Sequence, residues 1–271
     1  MRAKRPRSQR VESFARSYAR MCELVYASGR ETKKYRMRSK RPLKRRQVRS
    51  RLKPMIAYDL ETTRIAEGTP EPLYITWYGE NCQGALKVDS LKHLGEIIIA
   101  RLLVPEFKGT RFVAWNGNNF DVYLVAAALL NFPDYVLRPY LTRSKNLRGL
   151  RVTKTCAPDE KPPSWEFLDG MAMTGAGAWP NKSLKFFLER FAPDYAKLPG
   201  PDFEREEFDA DNPDHQAYAL RDSEGLYRGM QRANGIVMDT FGVPLNPTIG
   251  NTGIRIFIRN MPEGITVWEP P

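Results

Sequence analysis

Three acidic motifs carry side chains that could do chemistry together. In the first, Ala57-Tyr58-Asp59-Leu60-Glu61-Thr62, two acids stand two residues apart. On a β-strand such residues project from the same face, so Asp59 and Glu61 would lie side by side. Neighbouring carboxylates repel unless a cation lies between them, and hard oxygen donors suit Mg²⁺ or Mn²⁺. Taken alone, such a pair is more often solvated surface, but this one closes an apolar run. The second motif is Val113-Ala-Trp-Asn116-Gly-Asn-Asn-Phe120-Asp121. Asp121 falls at the start of a helix, where the dipole favours an anion; on its own it reads equally well as a cap, with the asparagines serving a turn. The third is Tyr218-Ala-Leu-Arg-Asp222. Residues four apart on a helix share a face, so phenol and carboxylate would project together.

Elements able to position these groups follow from the pattern of apolar residues. Met55–Leu60, Leu73–Tyr78 and Ala85–Val88 read as strands, and Asp89 or Ser90 can cap a helix running to about Leu103. Arg111–Trp115 is a further strand, delivered by the turn Asn116-Gly117-Asn118 into an apolar helix over Phe120–Leu130. Strands near Leu137–Thr142, Leu150–Thr155 and Trp165–Asp169 follow. Two more helices are expected at Ser183–Phe191 and Pro213–Ala233, the latter with Asn212 as cap and Pro213 at its first position. A short helix lies within Thr248–Asn260. This order of elements indicates an α/β domain with a mixed central sheet flanked by helices.

Composition narrows the class. A chain of 271 residues, 42% hydrophobic and with five Trp, can bury a sizeable core. No apolar run approaches the roughly 20 residues of a membrane span, and the polar, basic start lacks the apolar region of a secretion signal. Cys22, Cys82 and Cys156 are odd in number and far apart, which argues against a disulfide framework or a zinc site and for a reducing compartment. A location inside a cell, cytoplasmic or within a host, is expected, with no membrane partner. The net charge of +12 is uneven: residues 1–53 hold 20 of the 43 Lys and Arg and three acids. A basic arm thus joins a mildly acidic body. Within the arm, Val11, Phe14, Tyr18, Met21 and Val25 recur at helical spacing, whereas Lys33–Lys53 is dense in cations. Such a stretch suits phosphate backbones; a solubilising tail or a targeting segment is the alternative.

In order and spacing, Asp-x-Glu, Asn-x-x-x-Phe-Asp and Tyr-x-x-x-Asp resemble the three motifs of the DEDD exonuclease superfamily. Tyr218 in place of His points to its tyrosine subclass. More narrowly, the chain resembles the 3′–5′ proofreading exonuclease domain of family B DNA polymerases, of the protein-primed kind found in bacteriophages and linear plasmids. The resemblance covers about Pro54 to Ala233 and extends into Gly250-Asn-Thr-Gly253, similar to the segment that joins exonuclease to polymerase palm. Ser183-Leu184-Lys185-Phe186-Phe187 fits the family's Ser/Thr-Leu-x-x-hydrophobic element. Lys197 resembles a lysine placed near the scissile phosphate, although Gly200 stands where that motif has a larger apolar residue. The family's asparagine maps to Asn116 or Asn118, and the strand end favours Asn116.

The resemblance implies a ribonuclease H-like fold in three parts: a basic arm over 1–53, an exonuclease domain over 54–235, and a segment over 236–271 leading toward a palm. It implies two divalent ions, Mg²⁺ or Mn²⁺, held by Asp59, Glu61, Asp121 and Asp222. Tyr218 would orient the attacking water, and Lys197 would assist at the phosphate. Thr62, Asn116, Phe120, Ser183 and Leu184 would hold a single-stranded or frayed DNA 3′ end, with Phe120 as a stacking face. The partners implied are that 3′ end and a polymerase chain or terminal protein. Polymerase motifs do not follow within the sequence, so polymerisation by this chain alone is not expected. Two other readings fit the same residues: an accessory DNA-binding subunit of a split polymerase, and an RNA-directed exonuclease of the same superfamily.

Overall fold

Seven strands form one sheet in a computed structural model that describes residues 52–63, 70–141, 147–157, 160–199 and 207–260. They are Met55–Thr62 (β1), Pro72–Gly79 (β2), Cys82–Lys87 (β3), Arg111–Ala114 (β4), Tyr135–Leu141 (β5), Leu147–Lys154 (β6) and Ser164–Asp169 (β7). Their order is β3-β2-β1-β4-β7-β6-β5. Strand β4 runs parallel to both β1 and β7, and every other neighbouring pair is antiparallel. The sheet is therefore mixed and open, as expected, and compatible with a ribonuclease H-like fold. The basic arm before residue 52, with its expected helix, lies outside the described residues. No helix among the described residues is long and apolar enough to cross a membrane.

Alternation along the central strands splits the core in two. Ile56, Tyr58 and Leu60 of β1, Phe112 and Ala114 of β4, and Trp165 and Phe167 of β7 point to one face. There they meet Leu91–Arg101 (α1) and Asp121–Leu129 (α2) through Leu94, Ile98, Val122 and Val125. Ala57, Val113 and Leu168 point the other way, toward Leu184–Phe191 (α4) and Pro213–Phe241 (α5). Gly170–Thr174 (α3) follows β7 directly, and Ile249–Asn260 (α6) ends the described chain. A strand buried on both faces reads as a nearly continuous apolar run, which is why β1, β4 and β7 stand out in the sequence.

Helix starts obey the expected caps. Ser90 Oγ accepts from His93 N, Ser183 Oγ from Phe186 N, and Asn212 Oδ1 from Asp214 N. Other boundaries differ. Strand β3 begins at Cys82 rather than Ala85, because the hairpin with β2 pairs down to Gly79 and Cys82 across a two-residue turn. Helix α5 runs past Ala233 to Phe241 and stops only at Gly242, whose φ of 67° ends it in the left-handed region. The boundary expected at residue 235 thus falls inside one continuous helix. Two glycines let α4 approach α5 closely: a Cβ on Gly229 would stand 2.5 Å from Phe187 Cε1, and one on Gly225 2.9 Å from Leu188 Cδ1.

At the opening end of the parallel strands, one buried carboxylate gathers several elements. Glu166 of β7 accepts from Lys53 Nζ at 2.8 Å, Arg151 at 2.8 Å, Tyr140 Oη at 2.9 Å and Arg111 Nε at 3.3 Å. Arg111 also donates to the Leu245 carbonyl at 2.7 Å, tying in the chain beyond α5. Burial by itself would raise the Glu166 pKa, but the hydrogen bonds from Lys53 and Arg151 prevail and hold it at about 2. A pKa depressed on folding stabilises the folded state above the unfolded value near 4.5, and the gain fades as pH falls toward 2. We expect the urea-unfolding free energy of wild type to fall by about 3 kcal/mol more than that of Glu166→Gln between pH 5 and 2. Parallel curves would exclude this network as the cause.

Candidate active site

All three acidic motifs arrive at the same end of the sheet, the C-terminal ends of parallel strands β1 and β4. This is where open α/β sheets place their sites. Asp59 and Glu61 lie on the face of β1 that carries Ala57, the face covered by α5. Their β2 partners are Thr76 and Tyr74 respectively. Helix α5 packs against both β1 and β2. Thr76 Oγ1 lies 2.7 Å from Ser223 Oγ and 3.2 Å from the Ala219 carbonyl oxygen, all buried. The hydroxyl pair therefore fixes the turn of α5 bearing Asp222 beside the strand that pairs with Asp59. Neither Thr76 nor Ser223 was expected as part of the site, since nothing in their local sequence marks a contact 147 residues apart.

Asp121 reaches the same place by another route. Strand β4 ends at Ala114, and Asn116 turns the chain with a φ of 60°, a left-handed conformation that asparagine tolerates better than most residues. Gly117–Asn119 then forms one 3₁₀ turn, and Asp121 opens α2 with only 4% exposure. Asp169, at the end of β7, braces that turn: its Oδ1 accepts from Met171 N at 2.8 Å and its Oδ2 from Asn118 N at 3.4 Å. Asp169 was expected only as a strand end, and its bracing role depends on tertiary contacts.

Electrostatics show how crowded the acids are. Burial, followed by repulsion from Asp222, raises the Asp59 pKa to about 7. Burial with Asp59 and Asp222 nearby raises Glu61 to about 9. Asp121 is pushed well up by burial and by Asp59, and Asp222 rises chiefly through burial. Among the described residues, one cation answers them. Lys197 Nζ pairs with Asp222 Oδ2 at 2.6 Å and lies 4.9 Å from the centre of the Tyr218 ring. Burial would lower its pKa, but the Asp222 carboxylate more than offsets this and keeps it charged. Burial and Asp222 also raise the Tyr218 phenol above its ordinary value of 10, so it stays protonated at neutral pH.

Among the described residues, no three His, Cys, Asp or Glu side chains converge as a ready-made ligand cage in this arrangement. The lysine ammonium sits where it partly neutralises the acids, standing in for a cation at Asp222. The donor set nevertheless fits hard divalent ions. It consists of carboxyl groups alone, whose ionisation is opposed in the absence of a further cation, and includes Asp222 Oδ1, buried without a hydrogen-bond partner. Asp59, Glu61, Asp121 and Asp222 are the residues able to hold such ions.

The remaining expected residues fall into two groups. Asn116 and Ser183 border one cleft, with Asn116 Oδ1 accepting from Asn119 Nδ2 and Ser183 Oγ used as the α4 cap. Thr62 lies at a register shift of β1 and donates to the Thr63 carbonyl. Phe120 and Leu184 are half-buried, packed against the first and second cores, so only part of each ring or chain faces outward. The lysine segment is held by Tyr195, whose ring lies 5.2 Å from the Arg228 guanidinium and 5.8 Å from that of Arg221.

No family model matches the chain, and no curated protein matches it. Its fold is similar to solved structures of Phi29 DNA polymerase. The ternary complex with primer-template DNA and incoming nucleotide gives a TM-score of 0.55 at 11% identity, over 76% of this chain and 34% of that one. The binary complex gives 0.52 at 12% identity over the same shares, and the orthorhombic crystal form 0.53 at 11%, over 75% and 34%. This chain therefore spans about a third of the length of those polymerases, and at such identities the likeness is one of fold.

The Thr76–Ser223 contact gives a direct test of how the helix is held to the sheet. Thr76→Val keeps shape but leaves Ser223 without its partner, and should lower the unfolding free energy by about 1–3 kcal/mol. Adding Ser223→Ala should cost less than the sum of the two single changes, because the two share one interaction. Additive losses in denaturant titration would show that the hydroxyls act independently.

Proposed function

We propose that this chain hydrolyses single-stranded or frayed DNA from its 3′ end, as a 3′–5′ exonuclease of the family B polymerase lineage. The observation that carries the reading is the gathering of Asp59, Glu61, Asp121 and Asp222, distant in sequence, at one end of the sheet beside Tyr218 and Lys197. The four carboxylates would hold two divalent ions. When bound, Mg²⁺ or Mn²⁺ supplies charge stabilisation for the phosphoryl group, the attacking water and the leaving 3′ oxygen.

The chain's own groups divide the remaining work. A water oxygen forms a bond to phosphorus as its proton passes to solvent, the bond to the 3′ oxygen breaks, that oxygen takes up a proton from solvent, and a nucleoside 5′-monophosphate departs. Tyr218, protonated at neutral pH, orients that water by hydrogen bonding and does not remove its proton. Lys197 keeps its charge and, released from Asp222, can meet a phosphate oxygen. Asn116 and Ser183 border the cleft through which the strand would run, with Thr62, Phe120 and Leu184 steadying the terminal nucleotides. A polymerase chain or terminal protein as partner belongs to the same reading.

Digestion of a 5′-labelled single-stranded oligonucleotide by the full chain tests the assignment. Activity should require Mg²⁺ or Mn²⁺ and vanish with chelator. Asp59→Ala should lower the rate by roughly 100-fold or more while leaving circular dichroism and melting temperature at or above wild type, because it relieves a crowded charge. Wild-type rates from the variant would sink the proposal. Faster digestion of a matched RNA would move the substrate to RNA, and DNA binding without digestion would favour the accessory-subunit reading.

A further inference from the structure

At the end of the sheet away from the acids, a row of charge crosses four strands. Arg138 of β5 stands directly opposite Arg151 of β6, Arg151 opposite Glu166 of β7, and Glu166 opposite Arg111 of β4. Cross-strand partners share a face, so all four side chains line the face that carries Val113 and Leu168. Lys53 joins the row through Glu166. Arg255 of α6 lies near it too: burial lowers the Arg111 pKa, Glu166 raises it, and the Arg255 guanidinium lowers it again. Glu80 borders the pocket that Lys53 and Arg111 line. Among the described residues, five cations thus stand against two carboxylates.

Folding does not require that surplus. Glu166 is satisfied by Lys53, Arg111, Arg151 and Tyr140, while Arg138 and Arg255 are exposed and form no ion pair among the described residues. Like charges directly opposite on neighbouring strands are destabilising, and Arg138 beside Arg151 is such a pair. Arg151 and Lys53 bind Glu166 yet keep side chains 43% and 44% exposed, within reach of a ligand. An anion from outside would relieve the repulsion. Its class follows from extent. Arg138 to Arg111 covers three strand spacings, roughly 14 Å, more than one phosphate or carboxylate occupies. The row also continues the arm, since Lys53 is the last of the 20 Lys and Arg in residues 1–53. Cations repeated along a surface match the regularly spaced phosphates of a nucleic acid. Tyr140, the row's aromatic ring, already donates to Glu166, so the contact is with the backbone and not with bases.

We propose that Lys53, Arg138, Arg151 and Arg255 form a second nucleic-acid surface, which grips the phosphates of a strand at the opposite end of β1 from the acids, whatever its base sequence. The inference takes from the exonuclease reading only that the polymer is nucleic acid. The surface lies about 20 Å along β1 from Asp59, so it holds a part of the strand remote from the 3′ terminus.

Binding measured without turnover separates this surface from the hydrolysis itself. The full chain is titrated, with chelator present, into a 5′-labelled single strand of mixed sequence at several salt concentrations, and anisotropy is followed. The double variant Arg138→Ala, Arg255→Ala should weaken binding several-fold. It should also reduce the slope of log affinity against log salt by about 1.4, two phosphate contacts at about 0.7 each. Lys92→Ala with Arg101→Ala removes the same charge from exposed positions on α1, which covers the opposite face, and should leave that slope unchanged. Equal losses from the two pairs would overturn the proposal, since net charge alone would then account for binding. A second arm needs only wild type: a poly-glutamate peptide that displaces the strand at lower charge concentration than unlabelled DNA does would overturn it too, and assign the row to an acidic protein. The expected slopes in a chain that digests nothing with Mg²⁺ would refute the hydrolysis reading and leave the surface standing.

Discussion

The burial of four neighbouring carboxyl groups is the constraint around which this molecule is arranged. Burial opposes the ionisation of Asp59, Glu61, Asp121 and Asp222 alike; neighbouring carboxylates add to it at Asp59, Glu61 and Asp121, whereas the Lys197 ammonium favours the charged form of Asp222. Apart from the Lys197–Asp222 ion pair, little in that cluster favours its own assembly. The force comes from elsewhere: two apolar cores on opposite faces of the sheet, and a buried hydroxyl pair that sets α5 against β2. Stability spent in this way is usual where a fold keeps a site ready for a ligand.

What the sequence discloses follows from period and local capping. Asp59 and Glu61 are legible as a pair because strand side chains repeat every second residue, and Tyr218 with Asp222 because helix side chains repeat every fourth. Ser90, Ser183 and Asn212 announce their helices because a cap acts within three residues. The rest is tertiary. Thr76 and Ser223, Asp169 under the Asn118 turn, and the four partners of Glu166 meet only after the sheet closes. The extension of α5 to Phe241 is not legible in the sequence, because its last turns expose Ile236 and Phe241 and lose the apolar rhythm. Its stop signal, Gly242, is clear only once its backbone angle is known.

Lys197 is held beside Asp222 and Tyr218 by contacts that a linear pattern does not contain. Gly200 stands where the resembling family has an apolar anchor, yet the lysine lies against Asp222 and Tyr218. The anchor comes from the other side. Tyr195, two residues earlier, lies between Arg221 and Arg228, and its carbonyl oxygen approaches α5 at Gly225, where any Cβ would stand in the way.

Glu166 has a mechanical consequence. Its ammonium partner Lys53 lies at the last position of the basic arm, at the end of β1 away from Asp59. Five residues of extended chain lie between the two, a span of about 20 Å. A tether, surface linkage or fused domain attached through residues 1–51 would therefore load the sheet at its far margin. Force or crowding applied there would meet the Glu166 knot first, which makes this terminus the natural handle for immobilising the molecule while leaving its acidic end open.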